Sequence, residues 1–548
     1  MYGSRREHSC SSQQQQNNSS IKKCCILNNR IKWFRSKSAI LVLIWSFFVA
    51  SLYHHYHLLL TGESLRFAPL TILIAFGLAL FFPIGGWLAD VYFGRYKIIH
   101  VSILIMWVSS ILIVVCYIAK QVAVNWDNVV TPILYILYVV AGIGLGLFQA
   151  NIIQFGVDQL TDASSTEISS FVIWYTWTLF SSGVPYLLLE KESSSIYRAL
   201  LLVTCISLTL CMDLLFNKWL VKEPITRNPF KLIFEVIKYM IRHRQPRQRS
   251  AFTFCEDEIP SRIDFGKSKY GGPFTTEQVE DVKTFFRMLV VLSIGSTVGL
   301  VCAVVQYPQH KLYKHLQGYY SSEWYKRVAY GQVIPIFIMV PVYELLIYPM
   351  FQKHLVHFNY EKIIIIATCI SLLYLTTLVA VEGTVRHVPE QNHNMTCIFS
   401  DTNFTININY QWFQLIGQPN FIASFLFIVG AIEFICSQSP YAMKGILLGM
   451  CYSLSGFNLT VQGLIALPFV LKSFSWDGVP LPCGFWYFLL QILVTLTFGT
   501  TFVAVMKWMY KNRSREDVLP NEQVFAVQYY ERYANLSSSS SPESDMET

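Results

Sequence analysis

Residues 85–99 read Gly-Gly-Trp-Leu-Ala-Asp-Val-Tyr-Phe-Gly-Arg-Tyr-Lys-Ile-Ile, and this stretch decides the fold class. Apolar runs flank it on both sides, from Leu70 to Ile84 and from Ile98 to Val115. The charged gap between the two runs is too short to hold a domain. Two bilayer-length helices that contain these runs and are joined this tightly are predicted to be antiparallel neighbours.

The glycines and charges of this short loop predict a specific geometry. Gly94 permits a tight turn, and Gly85 and Gly86 allow neighbouring helices to approach closely. Asp90 and Arg95 are expected to pair at the membrane surface and to act with the turn as a conformational latch. An ordinary charged loop between two spans is the alternative that the charges alone leave open.

Composition indicates a membrane protein. Of the 548 residues, 53% are hydrophobic and only 14% are charged, which is too apolar for a soluble protein of this length. The net charge of +8 is concentrated in the N-terminal tail and after Asn217, as expected for cytosolic segments, and implies no nucleic-acid partner. The N-terminal tail is polar and does not resemble a secretory signal. The scattered cysteines are interpreted as reduced membrane residues.

Twelve apolar runs are arranged as two sets of six. A disordered, cytosolic tail (1–38) is predicted to precede the N-terminal half (39–216), and a cytosolic connector (217–283) is predicted to lead to the C-terminal half (284–510) and a cytosolic tail (511–548). The predicted spans cover about 39–60, 68–89, 96–119, 131–153, 169–189, 199–216, 284–306, 331–350, 362–381, 420–437, 444–471 and 484–510.

The connector contains two predicted elements. Lys231 to Arg244 is expected to form a basic amphipathic helix that lies on the membrane surface. Gly271-Gly272-Pro273 breaks the chain, and Thr275 or Thr276 is expected to cap a short acidic helix after the break.

The loop 382–419 is predicted to be external, because counting the spans from a cytosolic N-terminal tail places this loop on the opposite side of the membrane. It contains Asn394-Met-Thr and Asn403-Phe-Thr, so Asn394 and Asn403 are the predicted glycosylation sites. The protein is therefore predicted to be an integral multi-pass protein of the plasma membrane or of an endosomal or lysosomal membrane.

Motifs distributed along the chain carry a family resemblance. Residues 85–96 follow the pattern Gly-Gly-x-x-Ala-Asp-x-x-x-Gly-Arg-Tyr, and Phe155-Gly-Val-Asp-Gln159 is similar to Phe-Gly-Ala-Asp-Gln. Together with Pro341–Pro349 and Glu433–Pro440, these stretches resemble the proton-dependent oligopeptide transporter family of the major facilitator superfamily. The resemblance extends from about Phe82 to Tyr530. It implies an all-α membrane protein with twelve transmembrane helices in the six-plus-six major facilitator fold.

The resemblance also marks functional positions that carry uncharged residues in this chain. Members of the family carry Glu-x-x-Glu-Arg in helix 1, which couples protons to transport, whereas the first span here reads Ile-Trp-Ser-Phe-Phe-Val-Ala-Ser-Leu-Tyr from Ile44 to Tyr53. Gln149 falls at the family's helix 4 lysine, Gln306 follows the helix 7 acidic position, and the helix 10 glutamate falls near Ser424. Proton coupling depends on such buried charges, so their loss weakens the case for it.

The candidate solute and coupling residues are polar or aromatic side chains within the spans. Carboxylates are costly in a membrane unless they are paired or protonated, which makes Glu344 and Glu433 candidates, although local structural pairing is the alternative. The aromatic residues line a cavity or pack in the core, and the histidines form a proton relay or a polar rim. The cavity and coupling candidates are Gln149, Asn151, Trp174, Tyr175, Trp177, Gln306, Glu344 and Glu433, and the relay candidates are His54, His55 and His57.

These features predict a transporter that works by alternating access. The resemblance implies peptides or other small organic or nitrogenous solutes, with protons as possible co-substrates and the lipid bilayer as the surroundings. The alternatives are a uniporter of an uncharged solute and a non-transporting receptor or scaffold on a transporter fold. The sequence contains no catalytic constellation, phosphate-binding glycine loop or metal-ligand spacing, so no enzyme, cofactor or metal is predicted.

Overall fold

The computed structural model describes the greater part of both halves and two pieces of the connector. The described residues are 36–62, 79–122, 127–160, 163–182, 184, 195–222, 228–243, 261–304, 316–317, 336–347, 360–385, 406–440, 443–470 and 483–511. The candidates Gln306, Asn394 and Asn403 lie outside these residues.

The described chain is almost entirely helical, and every predicted span contains a described helix. A π-helical turn, Ala89–Phe93, follows the second helix, and another, Tyr343–Ile347, follows the ninth. The helices are α1 Lys37–Gly62, α2 Phe81–Leu88, α3 Arg95–Val122, α4 Asp127–Asp158, α5 Ser165–Ser181, α6 Ser195–Phe216, α7 Pro229–Arg242, α8 Thr276–Val304, α9 (336–342), α10 Tyr360–Val385, α11 Tyr410–Gln438, α12 Lys444–Val470 and α13 Cys483–Lys511.

One short parallel pair of strands accompanies the helices. Strand β1 (Leu316–Gln317) lies between α8 and α9 in the chain, and β2 (Ile406–Asn409) directly precedes α11. Both belong to connections within the C-terminal half, so the all-α architecture of the bundle is unchanged.

Five described helices are long and apolar enough to cross a membrane. In α3, large apolar side chains recur on one exposed face while the opposite face is buried, as expected for a helix that packs on protein on one side and faces lipid on the other. The exposed residues of α3 include Val101, Leu104, Val108, Leu112 and Val115. The five segments are Arg95–Val122, Val129–Asp158, Ile196–Trp219, Glu361–Ala380 and Trp486–Trp508.

Two helices, α8 and α11, begin two turns or more before the predicted spans. The short acidic helix predicted after Thr275 is the first part of α8, which continues without a break into the seventh span. Thr275 caps it: its hydroxyl oxygen accepts from the Gln278 backbone N–H (3.3 Å), and the Gln278 side chain accepts from the Thr275 N–H (3.1 Å). Helix α11 begins at Tyr410 and contains Pro419, because a proline is tolerated within a membrane helix where neighbouring groups compensate for its missing N–H.

The connector is anchored to the start of α8 by a buried charge cluster. Gly271 reverses the chain with φ of 84°. Asp264, before this turn, pairs with Lys267 (2.8 Å) and with Lys283 of α8 (2.5 Å). Lys267 also pairs with Glu280. Burial opposes ionisation of Asp264, but hydrogen bonds from both lysines outweigh it and lower the pKa of this carboxyl group. The cluster therefore holds residues 264–283 as one unit.

Helices α2 and α12 join the two halves through an approach that only glycine permits. A Cβ at Gly86 would overlap the backbone carbonyl oxygen of Gly445, and one at Gly449 would lie 2.5 Å from the carbonyl oxygen of Phe82. Small residues allow such backbone contact between membrane helices. We call the end of the bundle that contains Gly86 and Gly445 the latch end, and here the two halves are in direct contact.

We predict that Gly86→Ala destabilises the protein, because the added methyl group forces α2 and α12 apart. Overpacking of this kind costs about 1–3 kcal/mol. Gly146→Ala is the matched control, since a Cβ there would meet its nearest neighbour, Phe81 Cβ, at an ordinary 3.5 Å. Thermal unfolding in detergent measures both variants. Equal unfolding midpoints would show that the contact does not constrain the packing.

Candidate functional site

The predicted pair of Asp90 and Arg95 is present, and a second carboxylate joins it. Arg95 donates from Nε (3.2 Å) and Nη2 (3.1 Å) to Asp90 Oδ1, and from Nη1 to Asp158 Oδ2 (2.6 Å). All three side chains are nearly excluded from solvent. Gln154 Nε2 donates to the other oxygen of Asp158 (2.8 Å). One guanidinium group thus holds the ends of α2 and α4 against the start of α3.

The backbone between Asp90 and Arg95 forms a tight turn that brings the two side chains together. In the π-helical turn the Gly94 N–H bonds to the carbonyl oxygen of Ala89 (3.0 Å), and Gly94 then turns the chain with φ of 82°. A side chain on Gly94 would meet no neighbouring atom, so this glycine is required by its backbone conformation. Gly94 is thus the single residue between the π-helical turn and α3.

Asp90 also contacts the other half of the protein. Its carboxylate lies against the backbone of Gly445, at the first turn of α12, where the unsatisfied N–H groups and the helix dipole favour a negative charge. A Cβ on Gly445 would lie 2.6 Å from Asp90 Oδ2. The carboxylate therefore links α2, α3 and α4 of the N-terminal half to α12 of the C-terminal half.

A second link between the halves is an uncharged cluster of one buried and two partly buried polar side chains. Gln149 Nε2 of α4 donates to Tyr175 Oη of α5 (2.9 Å) and lies 3.4 Å from Tyr452 Oη of α12. The two tyrosine hydroxyl groups are 3.4 Å apart. We call Gln149, Tyr175 and Tyr452 the polar cluster.

A third link joins α5 to α9. Glu344 lies in the π-helical turn after α9 with only 3% of its surface exposed, and its Oε2 accepts from Ser170 Oγ (2.8 Å). Further along α5, Trp177 Nε1 donates to the carbonyl oxygen of Phe337 (3.1 Å), and the two rings lie 5.4 Å apart. Together the three links join α2, α4 and α5 of the N-terminal half to α9 and α12 of the C-terminal half.

Comparison with known proteins gives relatives in solute carrier family 15. Solute carrier family 15 member 3 of Mus musculus is 21% identical over 440 residues, covering 70% of this chain and 74% of the relative. Solute carrier family 15 member 5 of Homo sapiens is 23% identical over 273 residues, covering 46% of this chain and 44% of the relative. No family model matches the chain.

Solved structures give the same result for the fold. The POT family transporter PepTSo has a TM-score of 0.60 at 14% identity and covers 87% of this chain and 99% of its own. An auto-inhibited POT family peptide transporter has a TM-score of 0.54 at 15% identity, with coverage of 85% and 97%. The chain is therefore similar to the proton-dependent oligopeptide transporter family in both sequence and fold. It has the major facilitator fold, and its solute carrier relatives and apolar helices support an integral membrane protein of the transporter class.

The remaining candidate site residues of this transporter lie at different depths, from fully buried to partly exposed. Asn151 is buried and donates to the carbonyl oxygens of Leu147 (2.8 Å) and Gly85 (3.2 Å), so it joins α4 to α2. Trp174 is partly buried, with its ring 5.4 Å from that of Trp177. Glu433 lies partly exposed near the end of α11. The side chains of His54, His55 and His57 in α1 lie outside the described part of the structure, so the relay stays a prediction.

A buried acid–base cluster in the N-terminal half of the transporter was missed by sequence reasoning. Asp213 of α6 is fully buried and accepts from Tyr96 Oη (3.0 Å), and it also pairs with Nδ1 of His100 in α3. Lys222 Nζ lies 4.4 Å from the centre of the Tyr96 ring. The available signal was an aspartate within an otherwise apolar span, since such residues require a partner.

We predict that Arg95→Met strongly destabilises the transporter, by about 3–5 kcal/mol, because Asp90 and Asp158 lose their shared cation while they remain buried. Adding Asp158→Asn to Arg95→Met is expected to restore part of the loss. Lys97→Met is the control, since Lys97 is an exposed basic residue on the same helix. Unfolding midpoints in detergent measure the series. The proposed role of the pair is wrong if Arg95→Met and Lys97→Met behave alike.

Proposed function

We propose that this transporter moves a small organic, nitrogen-containing solute by alternating access, and that it binds the solute through hydrogen bonds rather than through opposite charges. The observation that carries the proposal is the polar cluster. It joins α4 and α5 to α12. One of its members, Gln149, falls at the position where the family resemblance implies a lysine in helix 4.

The charge distribution along the surrounding helices supports uncharged recognition. Between their terminal turns, α4, α5 and α12 contain no Asp, Glu, Lys or Arg. A peptide with free termini would lose water from two charged groups on entering such a site, and this loss is large without opposite charges. An amide side chain and two phenol hydroxyl groups both donate and accept hydrogen bonds, which suits neutral amide, carbonyl and hydroxyl groups.

The relatives support the size and chemical class of the solute. One solved POT family transporter is in complex with 5-aminolevulinic acid, and another is in complex with a thioalcohol-conjugated peptide. Both solved structures share the fold of this chain at TM-scores of 0.54. A solute of comparable size with masked or absent charges fits the uncharged cluster.

The contacts between the halves support the proposed movement. Opening the latch end requires α2 to separate from α12 and α5 to separate from α9. The contacts that must break include those of Asp90 with Gly445, of Ser170 with Glu344, and of Gln149 with Tyr452. Because the Tyr452 contact belongs to the polar cluster, a bound solute can replace it and so bias the equilibrium between conformations.

We predict that proteoliposomes take up a dipeptide with acetylated and amidated ends faster than the same dipeptide with free ends. Tyr452→Phe and Gln149→Leu are each expected to lower this uptake about fivefold, the effect of one hydrogen bond of about 1 kcal/mol. Tyr117→Phe is the matched control, because Tyr117 bonds Tyr138 (3.1 Å) in a separate apolar cluster. Protein-free liposomes correct for passive permeation.

The outcomes separate the possible functions. Preferred uptake of the capped dipeptide to equilibrium supports a uniporter of an uncharged solute. Accumulation of the free dipeptide under an inward proton gradient contradicts uncharged recognition and points to family-type symport. If the folded protein carries neither compound nor other small neutral solutes, the receptor or scaffold alternative replaces transport.

Proton-coupled transport is the second candidate, and Glu344 is the observation that favours it. A buried carboxylate that accepts from Ser170 across the boundary between the halves can change that contact when it is protonated. We predict that Glu344→Gln removes any dependence of uptake on the proton gradient while solute exchange across the membrane continues. Ser170→Ala is the companion variant, and it should alter the gradient dependence without removing it. Gradient-driven uptake that survives Glu344→Gln would exclude this role.

A further inference from the structure

Helix α7 of the connector begins at a well-formed cap and packs one face on the protein. Asn228 Oδ1 accepts from the backbone N–H groups of Phe230 (3.1 Å) and Lys231 (3.3 Å), and Pro229 occupies the first helical position. Ile233 and Val236 are buried in the main apolar core, together with residues of α8. This face explains why the helix stays attached to the bundle.

A second apolar face of α7 lies beside the buried one and is exposed. Phe230 is 38% exposed, and Phe234 and Ile241 are each 66% exposed. At 3.6 residues per turn these three side chains share one side of the helix. The adjoining stripe is also exposed and carries three basic residues and one acidic residue: Lys231, Lys238, Arg242 and Glu235.

The apolar and basic stripes of α7 are arranged as in helices that lie in a membrane interface. Lys238 Nζ lies over the Phe234 ring, 5.9 Å from its centre, so a cation directly borders the apolar stripe. Apolar side chains in this position leave water by entering the acyl region, and the flanking cations then reach the level of the headgroups.

The position of α7 places this surface beside the latch and against both halves. The Phe230 ring lies 6.1 Å from that of Trp87 in α2, and Trp87 lies 5.4 Å from Tyr92. Tyr92 and Phe93 of the latch turn are about half exposed. Aromatic side chains are typical of the boundary between lipid and water, so the exposed stripe of α7 continues an aromatic surface at the membrane edge.

A similar surface at the start of α1 marks the same level of the bundle. Trp219, at the end of α6, is 52% exposed, and Lys37 Nζ lies 5.4 Å from the centre of its ring. Gln159, at the end of α4, joins these elements through hydrogen bonds with the Val221 backbone. Aromatic and basic groups thus mark the latch end on both the α1 and the α7 sides.

From these observations we propose that α7 binds anionic phospholipid headgroups at the membrane surface. The stripe of Phe230, Phe234 and Ile241 enters the acyl region, and Lys231, Lys238 and Arg242 contact the anionic headgroups. The partner is the lipid surface itself, and the proposal does not depend on which solute is carried or on whether transport is coupled to protons.

The insertion is tested by photocrosslinking in the full-length protein. A benzophenone amino acid replaces Phe234 in one variant and Glu235 in a matched variant, because adjacent positions present the apolar and the basic stripe. Both are reconstituted into nanodiscs of phosphatidylcholine with or without phosphatidylserine and irradiated, and the adducts are identified by mass spectrometry. Lipid adducts at position 234 with few at 235 are expected. No lipid adduct at 234, or equal yields at both positions, would overturn insertion.

The headgroup preference is tested by charge removal. The test variant combines Lys231→Gln, Lys238→Gln and Arg242→Gln. We expect the ratio of phosphatidylserine to phosphatidylcholine in the lipid that stays bound to the protein to fall at least tenfold. Each basic residue near an anionic surface strengthens binding about fivefold. Lys120→Gln, at the opposite end of α3, is the control and should leave the ratio unchanged. An unchanged ratio in the triple variant would contradict headgroup binding, and thermal unfolding in detergent verifies that the variants are folded.

Discussion

The Asp90 carboxylate is the group on which the closed arrangement of this transporter depends. It shares Arg95 with Asp158 inside the N-terminal half and meets the first turn of α12 in the other half. A buried carboxylate is tolerated only when charges and N–H groups replace the lost water. The arginine and the helix end together supply this replacement. The glycine-only approach of α2 to α12 brings the carboxylate to that helix end, so packing and electrostatics act at one place.

The two parts of this arrangement differ in what a conformational change does to them. The bonds from Arg95 to Asp90 and Asp158 lie within one half and are preserved when the halves move as rigid bodies. The contact of Asp90 with Gly445 joins the halves and has to break. Because water entering the opened boundary can solvate both the carboxylate and the α12 N-terminus, separation leaves neither group buried without a partner. The latch therefore combines a permanent intramolecular clamp with one releasable contact, a form that suits rocking between two states.

Local sequence signals predicted much of this fold, but they did not predict the partners distant in the chain. Gly94, Asp90 and Arg95 lie within one turn, so their pairing followed from spacing alone. Asp158 is separated from Arg95 by 63 positions, and Gly445 is a backbone contact that side-chain chemistry does not signal. Likewise, Asp213 and His100 meet only because α3 and α6 are neighbours in space. The cap predicted at Thr275 was correct, but the prediction of a short helix after it was wrong. No residue in the sequence marks an end for that helix, and α8 continues directly into the apolar run.

The distribution of buried charge favours a protein that still moves. Charges are present at the latch end, whereas the polar cluster between α4, α5 and α12 is neutral. A buried ion pair generally stabilises a static fold less than apolar side chains of the same volume would. In a protein serving only as a scaffold, Asp90, Arg95 and Asp158 would contribute less than apolar side chains in their place. Their presence is understandable if the boundary opens and closes, because charged groups stay soluble when water enters while apolar ones would hold it shut. In the proposed function, the neutral cluster binds the solute, and the charged latch determines how the halves move.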